Sequence, residues 1–350
     1  MKFLLPAGIA CILLILAAVP ASAETGAPDI AGTSPEWQPV TVTDDFGTTV
    51  TINTEPRRIV SLAPANTEIL FALGLGDRVV GVTDYCNYPA EATEKPKVGG
   101  YATVNIEQVI TARPDLVVAA YGNTEETIER MRGLGLTVVA LKPDSVDGTL
   151  MDIRLVGKAT GAEKEAASLA GGIEDRIEAV REKMADATEK PGVVHVMWYE
   201  PVWVSGNNTF QDEMIRLAGG ENTFSDVEGW QVVDMERIIT ADPDVILVNS
   251  GTGMGGEGED LIYQSFMKEP RFQNLKAVKE GRVHIVESDT MDRGGPRIAD
   301  ALEDVAATVH PELFPATGTT TTTAPPAPGF SAFTGFAALA AAGTLLRRRE

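Results

Sequence analysis

Two aromatic residues and two glutamates occur at the same spacing in the two halves of the chain. Tyr101 precedes Glu107 by six residues, and Trp230 precedes Glu236 by six. Flat rings stack on flat apolar ligands, and an exposed carboxylate is available for an ion pair. The spacing therefore predicts two equivalent surfaces with one ring and one carboxylate each. The alternatives, a ring that belongs to a core and a glutamate that only favours its helix start, stay open.

The same two regions carry an internal repeat. Residues 105–120 and 234–249 are identical at six of sixteen positions, and their apolar positions match. Each copy predicts a short helix, a break at Pro114 or Pro243, and a buried strand, because proline ends a helix and a β-branched run follows. We infer two related lobes that face each other. A helix-turn-strand connection common to many α/β proteins is the alternative.

The elements around the repeat follow an α/β pattern. Residues 40–52 predict a hairpin around Gly47, and residues 59–62 predict a strand. Asn66 is expected to be the N-cap of a helix over residues 67–75, since its side chain can accept from the free amides of a first turn.

A helical segment is predicted between the two halves. Residues 146–187 hold few glycines and no proline, and their apolar residues recur at near-helical spacing. We expect a long helix there, continuous or interrupted. The predicted fold class is α/β, with two lobes that have mostly parallel central sheets and are bridged by one long α-helix. Bending such a helix would break backbone hydrogen bonds, so the cleft should be largely preformed.

The two ends of the chain predict export and anchoring. Lys2, an apolar run and Ala21-Ser22-Ala23 form a signal peptide pattern. A Thr/Pro stretch precedes an apolar tail that ends in three arginines, which should stay cytoplasmic. The predicted divisions are residues 1–23 as signal peptide, 24–39 as linker, 40–145 as N-terminal lobe, 146–187 as bridging helix, 188–313 as C-terminal lobe, 314–329 as Thr/Pro stalk and 330–350 as hydrophobic anchor or sorting tail. Pro328-Gly329-Phe330 resembles the archaeal Pro-Gly-Phe sorting signal, which implies a cut tail and a lipid anchor.

Composition excludes several classes of function. The formal charge is −21, from 29 Lys and Arg against 50 Asp and Glu, and no basic stripe offers a site for nucleic acid. Cys86 is the single cysteine of the mature chain, so no internal disulfide forms. The histidines are scattered, which argues against a metal site. The pattern GxGxxG at residues 251–256 is followed by Glu257, Glu259 and Asp260, which would repel a pyrophosphate, so no cofactor is expected.

Residues 58–70, residues 81–89 and the two repeats resemble the vitamin B12 binders of the helical-backbone (class III) solute-binding family. Members of that family also carry ferric siderophores and haem to ABC importers. Thr290 and Met291 stand where the B12 binders have aromatic residues, and Cys86 stands where they have serine. The resemblance covers about residues 40–313 and implies an inter-lobe ligand cleft.

The resemblance also implies roles for particular residues. Ligand contact is implied for Tyr85, Tyr101, Trp198, Trp230, Asp289 and Arg293, with Trp203 as a further wall residue. Asp289 and Arg293 would bond the amides of a corrinoid, unless they pair with each other as a surface salt bridge. Glu107 and Glu236 are implied to dock on arginines of the importer's two membrane subunits.

Three functions remain open. The first is an extracytoplasmic receptor that captures a corrinoid and delivers it to an ABC importer. The second is a ferric siderophore or haem receptor, which favours more cations in the cleft than Arg293 and Arg297 supply. The third is a secreted enzyme, for which the chain lacks a GxSxG elbow, an HExxH helix and a Ser-His-Asp order. The sequence predicts the first: a binding protein held at the outer face of a membrane, and not an enzyme.

Overall fold

The structure is a computed structural model that describes residues 37–251 and 260–314. The predicted signal peptide, sorting tail and most of the linker, stalk and glycine-rich loop lie outside the described residues. Within the described ranges, no helix is both long and apolar enough to cross a membrane.

Strands and helices alternate along most of the described chain. The strands are β1 (Val40–Thr43), β2 (Thr49–Ile52), β3 (Ile59–Ser61), β4 (Val79–Val82), β5 (Leu116–Ala120), β6 (Val138–Leu141), β7 (Gly192–Trp198), β8 (Val202–Ser205), β9 (Glu221–Asn222), β10 (Trp230–Val233), β11 (Val245–Asn249) and β12 (Val283–Val286). The helices are α1 (Pro64–Ala72), α2 (Ile106–Thr111), α3 (Glu125–Gly133), α4 (Val146–Thr160), α5 (Glu163–Met184), α6 (Phe210–Leu217), α7 (Met235–Ala241), α8 (Leu261–Lys268), α9 (Lys276–Lys279), α10 (Ser288–Met291) and α11 (Ile298–Val309).

Two separate sheets form the centres of two lobes. The N-terminal sheet has the order β4-β3-β5-β6 and is parallel throughout. In the C-terminal sheet β9, β7, β11 and β12 are parallel, while β8 and β10 add an antiparallel edge. The predicted α/β class with mostly parallel sheets is confirmed, and β1 and β2 form the predicted hairpin.

The repeat occupies equivalent places in the two sheets. Strand β5 lies between β3 and β6, and β11 lies between β7 and β12. The preceding helices are capped alike: Asn105 Oδ1 accepts from the Gln108 amide at 3.2 Å, and Asp234 Oδ1 accepts from the Arg237 amide at 2.8 Å. The helix, turn and strand predicted for each copy are all present.

The aspartates of the two Pro-Asp turns have a structural role that the sequence did not indicate. Asp115 accepts from the backbone amides of Arg57 and Arg58, at 2.8 and 2.9 Å. Asp244 accepts from the Gly192 amide at 2.7 Å. Each carboxylate satisfies amides at the start of the neighbouring strand, which anchors the repeat to the middle of its sheet.

The predicted bridging segment consists of two helices rather than one continuous helix. Gly161 has a φ of 76° and ends α4 in the left-handed conformation that glycine adopts without strain. Helix α5 then returns along α4, and the helices approach so closely that a Cβ on Gly157 would lie 2.3 Å from the Ala166 Cβ. The interrupted alternative of the predicted long helix is therefore the one present. Helix α4 contacts β1 of the N-terminal lobe, and α5, which has 22 residues and is about 33 Å long, contacts α6 and α11 of the C-terminal lobe.

One apolar core is shared by both lobes. Leu116 and Val118 of β5 face a cluster that continues through α4 and α5 to β11 and α11. The alternate residues Val117 and Ala119 face a separate core inside the N-terminal lobe. Strand β11 alternates in the same way between the shared core and a C-terminal core. The shared core joins the two lobes at their back by packing as well as by the chain.

The predicted N-cap role of Asn66 is wrong. Helix α1 begins earlier, after Ala63, with Pro64 at its first position. Asn66 lies inside the helix, and its Nδ2 donates to the carbonyls of Val118 and Ala119 at 3.2 and 2.9 Å. Its amide thus ties α1 to the carboxyl end of β5.

A buried carboxyl group on α4 faces the β1–β2 turn. Asp152 is 2% exposed, and its neighbours include Asp45 and Asp144. Burial, reinforced by the charge of Asp45, raises the pKa of Asp152 to about 9 from an ordinary value of 3.8. The folded protein therefore holds a proton on Asp152 at neutral pH.

Replacing Asp152 with asparagine should stabilise the protein at alkaline pH. A raised folded pKa gives stability that is complete below the unfolded value of 3.8 and is lost as pH rises toward 9. A neutral amide would carry no such penalty, so urea unfolding of Asp152→Asn at pH 8 should show a gain of about 1–3 kcal/mol over the wild type, shrinking toward pH 4. Asp175→Asn, an exposed change on α5, is the control and should track the wild type. Parallel pH curves for Asp152→Asn and wild type would contradict this assignment.

Candidate functional site

Three aromatic residues, of which Tyr85 and Trp198 were predicted site residues, lie at the carboxyl ends of strands in the two sheets. Tyr85 follows β4, Tyr121 follows β5 and Trp198 ends β7. The carboxyl ends of parallel strands meet at one edge of a sheet, where α/β proteins place their ligands. The structure therefore brings these aromatic residues to the cleft side of each lobe.

Three tyrosines lie at this end of the N-terminal lobe and are the candidates for one wall of an inter-lobe cleft, the N-terminal wall. The ring of Tyr101 lies directly against Gly122, where a Cβ would come within 2.2 Å of the ring. The Tyr101 and Tyr121 rings meet edge to face with centroids 6.3 Å apart. Tyr85 is 60% exposed beside Gly100. Tyr121 was not predicted, although its position directly after the repeat strand β5 would have indicated it.

A buried asparagine holds this wall in place. Asn123 Oδ1 accepts from the Ala120 amide at 2.6 Å. Its Nδ2 donates to the carbonyl of Leu62 at 2.9 Å and to that of Tyr101 at 2.8 Å. One side chain thus fixes the ends of β3 and β5 and the loop that carries Tyr101.

The C-terminal wall is a row of aromatic and apolar side chains across three strands. Trp198 pairs with Trp203, and Trp203 pairs with Val232, so these residues share one face of the sheet. A register shift between Val196 and Trp198 turns Trp198 onto this face. Trp203 and Val232 are 36% and 48% exposed. Trp230 lies on the same face, two residues before Val232 on β10.

The two walls approach each other near Asp292. Trp230 meets Phe210 edge to face at 6.5 Å and donates its indole N–H to Gln211 Oε1 at 3.3 Å. Gln211 in turn donates to Asp292 Oδ1 at 3.1 Å. Burial raises the pKa of Tyr121, and the charge of Asp292 from the opposite lobe adds to that rise. Asp292 therefore lies within electrostatic reach of both walls.

Asp289 and Arg293 lie where the lobes touch. They pair at 2.6 Å, and each also bonds across to the N-terminal lobe. Asp289 Oδ2 accepts from Asn87 Nδ2 at 2.7 Å, while Arg293 Nη1 donates to Asn87 Oδ1 at 2.8 Å and to Glu68 Oε1 at 2.9 Å. The ion pair considered for these residues is present, but it is largely buried and joins the lobes instead of lying on the surface.

Glu68 is the centre of this inter-lobe cluster. Its side chain is only 2% exposed, yet it accepts from two arginines of the other lobe. Arg297 donates to both carboxylate oxygens, from Nε to Oε2 at 2.8 Å and from Nη2 to Oε1 at 2.7 Å. The Arg297 guanidinium also lies 4.2 Å from the ring centroid of Tyr88. Two carboxylates and two guanidiniums balance each other within the inter-lobe cluster of Glu68, Asn87, Asp289, Arg293 and Arg297.

Glu107 and Glu236 occupy the exposed first turns of α2 and α7. Each helix leads through a short turn into a repeat strand, so its first turn lies toward that strand's carboxyl end and the cleft. The two carboxylates differ in their neighbours: Arg271 Nη1 lies 3.6 Å from Glu236 Oε1. The two glutamates therefore occupy equivalent, exposed positions in the two lobes, and their docking role stays a prediction.

Two side chains that could bind a metal ion, those of His195 and Cys86, are buried and contact other polar groups. His195 is fully buried, with Nδ1 2.8 Å from Ser205 Oγ and Nε2 2.8 Å from Asn249 Oδ1. Cys86 is 1% exposed, between the hydroxyls of Thr67 and Thr83. Among residues 37–251 and 260–314, no three His, Cys, Asp or Glu side chains are grouped to hold a metal ion.

The paired sheets, the bridging helix and the cleft define a solute-binding protein. A model of the periplasmic binding protein family matches residues 59–290, and the chain belongs to that family, whose members are solute-binding proteins and not enzymes.

The proteins to which the chain is similar include two relatives by sequence and one solved structure. An uncharacterized ABC transporter substrate-binding lipoprotein of Bacillus subtilis is 34% identical over 79% of this chain and 87% of its own length. A cobalamin-binding protein of Halobacterium salinarum is 29% identical over 78% of this chain and 74% of its own. The structure of a periplasmic heme-binding protein from Roseiflexus sp. RS-1 superposes with a TM-score of 0.66 at 30% identity, over 73% of this chain and 99% of that one.

Glu68→Gln should weaken the contact between the lobes. The change leaves two largely buried guanidiniums facing one carboxylate, and breaking a buried ion pair from one side costs about 3–5 kcal/mol. We expect that loss in the free energy of unfolding from urea titration. Glu174→Gln removes the exposed Arg154–Glu174 pair, whose glutamate is 48% exposed, and should cost under about 1 kcal/mol. Equal effects of the two changes would contradict a stabilising role for Glu68.

Proposed function

We propose that this chain is the extracytoplasmic binding protein of an ABC importer and that it captures a corrinoid in the inter-lobe cleft. The observation that carries the proposal is the pair of aromatic walls, with Tyr85, Tyr101 and Tyr121 on one lobe and Trp198, Trp203 and Trp230 on the other. Walls of this kind suit a large ring with two apolar faces. The 29% identity to the cobalamin-binding protein of Halobacterium salinarum supports this ligand class.

The polar groups around the walls suit an amide-rich ligand. Burial raises the pKa of Tyr101, which keeps its phenol neutral and able to donate a hydrogen bond. Asp289 and Arg293 are proposed to offer an acceptor and a donor to propionamides at the edge of the cleft. Since both belong to the inter-lobe cluster, a ligand that bonds them would meet side chains already held in position.

Haem is the second candidate, because the heme-binding protein of Roseiflexus sp. RS-1 has a similar fold at 30% identity. A tyrosine that ligates haem iron does so as phenolate, whereas burial raises the pKa of both Tyr101 and Tyr121. Haem propionates also favour cations whose charge is not already balanced, whereas Glu68 and Asp289 balance the charges of Arg293 and Arg297. These two observations favour an uncharged, amide-bearing macrocycle.

Delivery to the importer is proposed to use Glu107 and Glu236. Both carboxylates are exposed on the cleft side, one on each lobe, which fits a partner built from two related membrane subunits. Export through residues 1–23 and anchoring through residues 330–350, by a retained helix or by a lipid, would hold the protein beside that partner. The divisions at residues 40–145, 146–187 and 188–313 complete this proposed arrangement.

Titration of the full chain with cyanocobalamin tests the ligand class. We expect quenching of tryptophan fluorescence, and we expect Trp230→Ala to weaken binding by at least about tenfold, since a central aromatic contact contributes about 2 kcal/mol or more. Trp37→Phe is the matched control, because Trp37 lies beside Gly161 and away from the cleft. Tight binding of haemin with no binding of cyanocobalamin would contradict the corrinoid proposal and favour the second candidate.

Uptake measured in cells separates docking from capture. Glu107→Ala and Glu236→Ala should each reduce uptake of labelled cyanocobalamin, and the double change should abolish it, while ligand affinity in solution stays within about twofold. Glu165→Ala, exposed on α5, should leave uptake unchanged. Normal uptake by the double variant would exclude these residues from docking.

A further inference from the structure

A continuous set of hydrogen bonds runs behind Trp230. Its indole N–H donates to Gln211 Oε1 at 3.3 Å. Gln211 is 1% exposed, and its Nε2 donates to the Met291 carbonyl at 3.3 Å and to Asp292 Oδ1 at 3.1 Å. The indole of the cleft wall is thereby connected to the segment between α10 and α11.

The set continues into the centre of the C-terminal sheet. Asn249 Nδ2 donates to Asp292 Oδ2 at 2.5 Å, and Asn249 Oδ1 lies 2.8 Å from His195 Nε2. His195 Nδ1 lies 2.8 Å from Ser205 Oγ. Ser205 is the strand partner of Trp230, so the hydrogen bonds lead back to the strand pair that carries the indole.

The direction of each hydrogen bond follows from its partners. The Met291 carbonyl and the Asp292 carboxylate only accept, so the Gln211 amide must turn its oxygen to the indole. Asn249 likewise donates from its NH2 group to Asp292, and its oxygen accepts from His195. Burial lowers the pKa of His195 to about 4, so its neutral ring carries one proton, on Nε2, and accepts from Ser205 through Nδ1. Both side-chain amides therefore donate to Asp292, Gln211 to Oδ1 and Asn249 to Oδ2, and each also donates to a backbone carbonyl, that of Met291 or Met197.

We propose that Gln211 and Asp292 are positioning residues that fix the plane of the Trp230 ring in the cleft wall. The edge contact with Phe210 alone allows the indole ring to rotate about its side-chain torsions, whereas a hydrogen bond from its N–H fixes the orientation of the ring. Gln211 in turn cannot rotate without losing both of its own acceptors. This inference rests on the proposed ligand cleft for its functional meaning, and on the hydrogen bonds for its geometry.

The charge of Asp292 controls the strength of the hydrogen bonds that it accepts. Burial raises the pKa of Asp292 to about 7, while the bonds from Gln211 and Asn249 oppose that rise. The other charged or titratable groups that face it are Asp289, Arg293 and Tyr121, with neutral His195 behind Asn249. Above pH 7 the carboxylate accepts two amide donors. Below pH 7 a proton occupies the carboxyl group, the charge-assisted bonds from the two amides weaken, and Gln211 holds the Trp230 indole less firmly.

Indole NMR of the full chain measures this directly. With 15N-labelled tryptophan, the Trp230 indole cross-peak, assigned by Trp230→Phe, should shift with pH around a midpoint near 7. Asp292→Asn and Gln211→Met should each abolish that titration. Gln231→Met, an exposed change on the same strand, is the matched control and should retain it. A Trp230 peak that does not titrate in the wild type, or one that Gln211→Met leaves in place, would overturn the proposal.

A double-mutant comparison links the set to binding. Gln211→Met should reduce cyanocobalamin affinity by about three- to tenfold when Trp230 is present. In the Trp230→Phe background, which lacks the indole N–H, the same change should cost less than about twofold. Equal losses in both backgrounds would show general damage and contradict positioning. If cyanocobalamin does not bind at all, the ligand proposal fails, and the NMR result decides the positioning claim alone.

Discussion

The buried carboxylate of Glu68 is the contact on which the geometry of the cleft depends. At 2% exposure an unpaired glutamate would be strongly destabilising, so its two oxygens require Arg293 and Arg297 from the other lobe. Those arginines in turn fix Asp289 and Asn87. At the back of the molecule, α5 and the shared apolar core hold the same two lobes. Because the lobes are held at two separate places, we expect them to open or close little, with the distance between the aromatic walls set before a ligand arrives.

Each wall is rigid for a different reason. The tyrosines of the N-terminal lobe are placed by Asn123 and by the absence of a side chain at Gly122. The tryptophans of the C-terminal lobe lie on a sheet face that a register shift has turned toward the cleft. Rigid aromatic surfaces lose little conformational entropy when they bind, which suits a receptor that must recognise a large, weakly charged ring. The exposed glutamates proposed for docking would let a partner contact both lobes without altering either wall.

Local patterns in the sequence were sufficient for the fold but not for the polar contacts of the site. The helix, turn and buried strand of each repeat copy depend on residues within sixteen positions of each other, and they are present as predicted. Asn66 was misassigned because its amide bonds β5, more than fifty residues away. Apolar spacing left both a continuous and an interrupted helix open over residues 146–187, and Gly161 makes it interrupted. Glu68 meets its arginines across 225 and 229 residues, and no periodicity encodes such a pairing.

A crystal structure of the chain with cyanocobalamin tests the account most directly. We predict the corrin ring between Tyr101 and Trp230, with both Arg297 bonds to Glu68 unchanged and the lobes in the same relative position. A ligand bound outside the two walls would contradict the proposed site. Lobes that close on the ligand and break the Glu68 contact would contradict a preformed cleft.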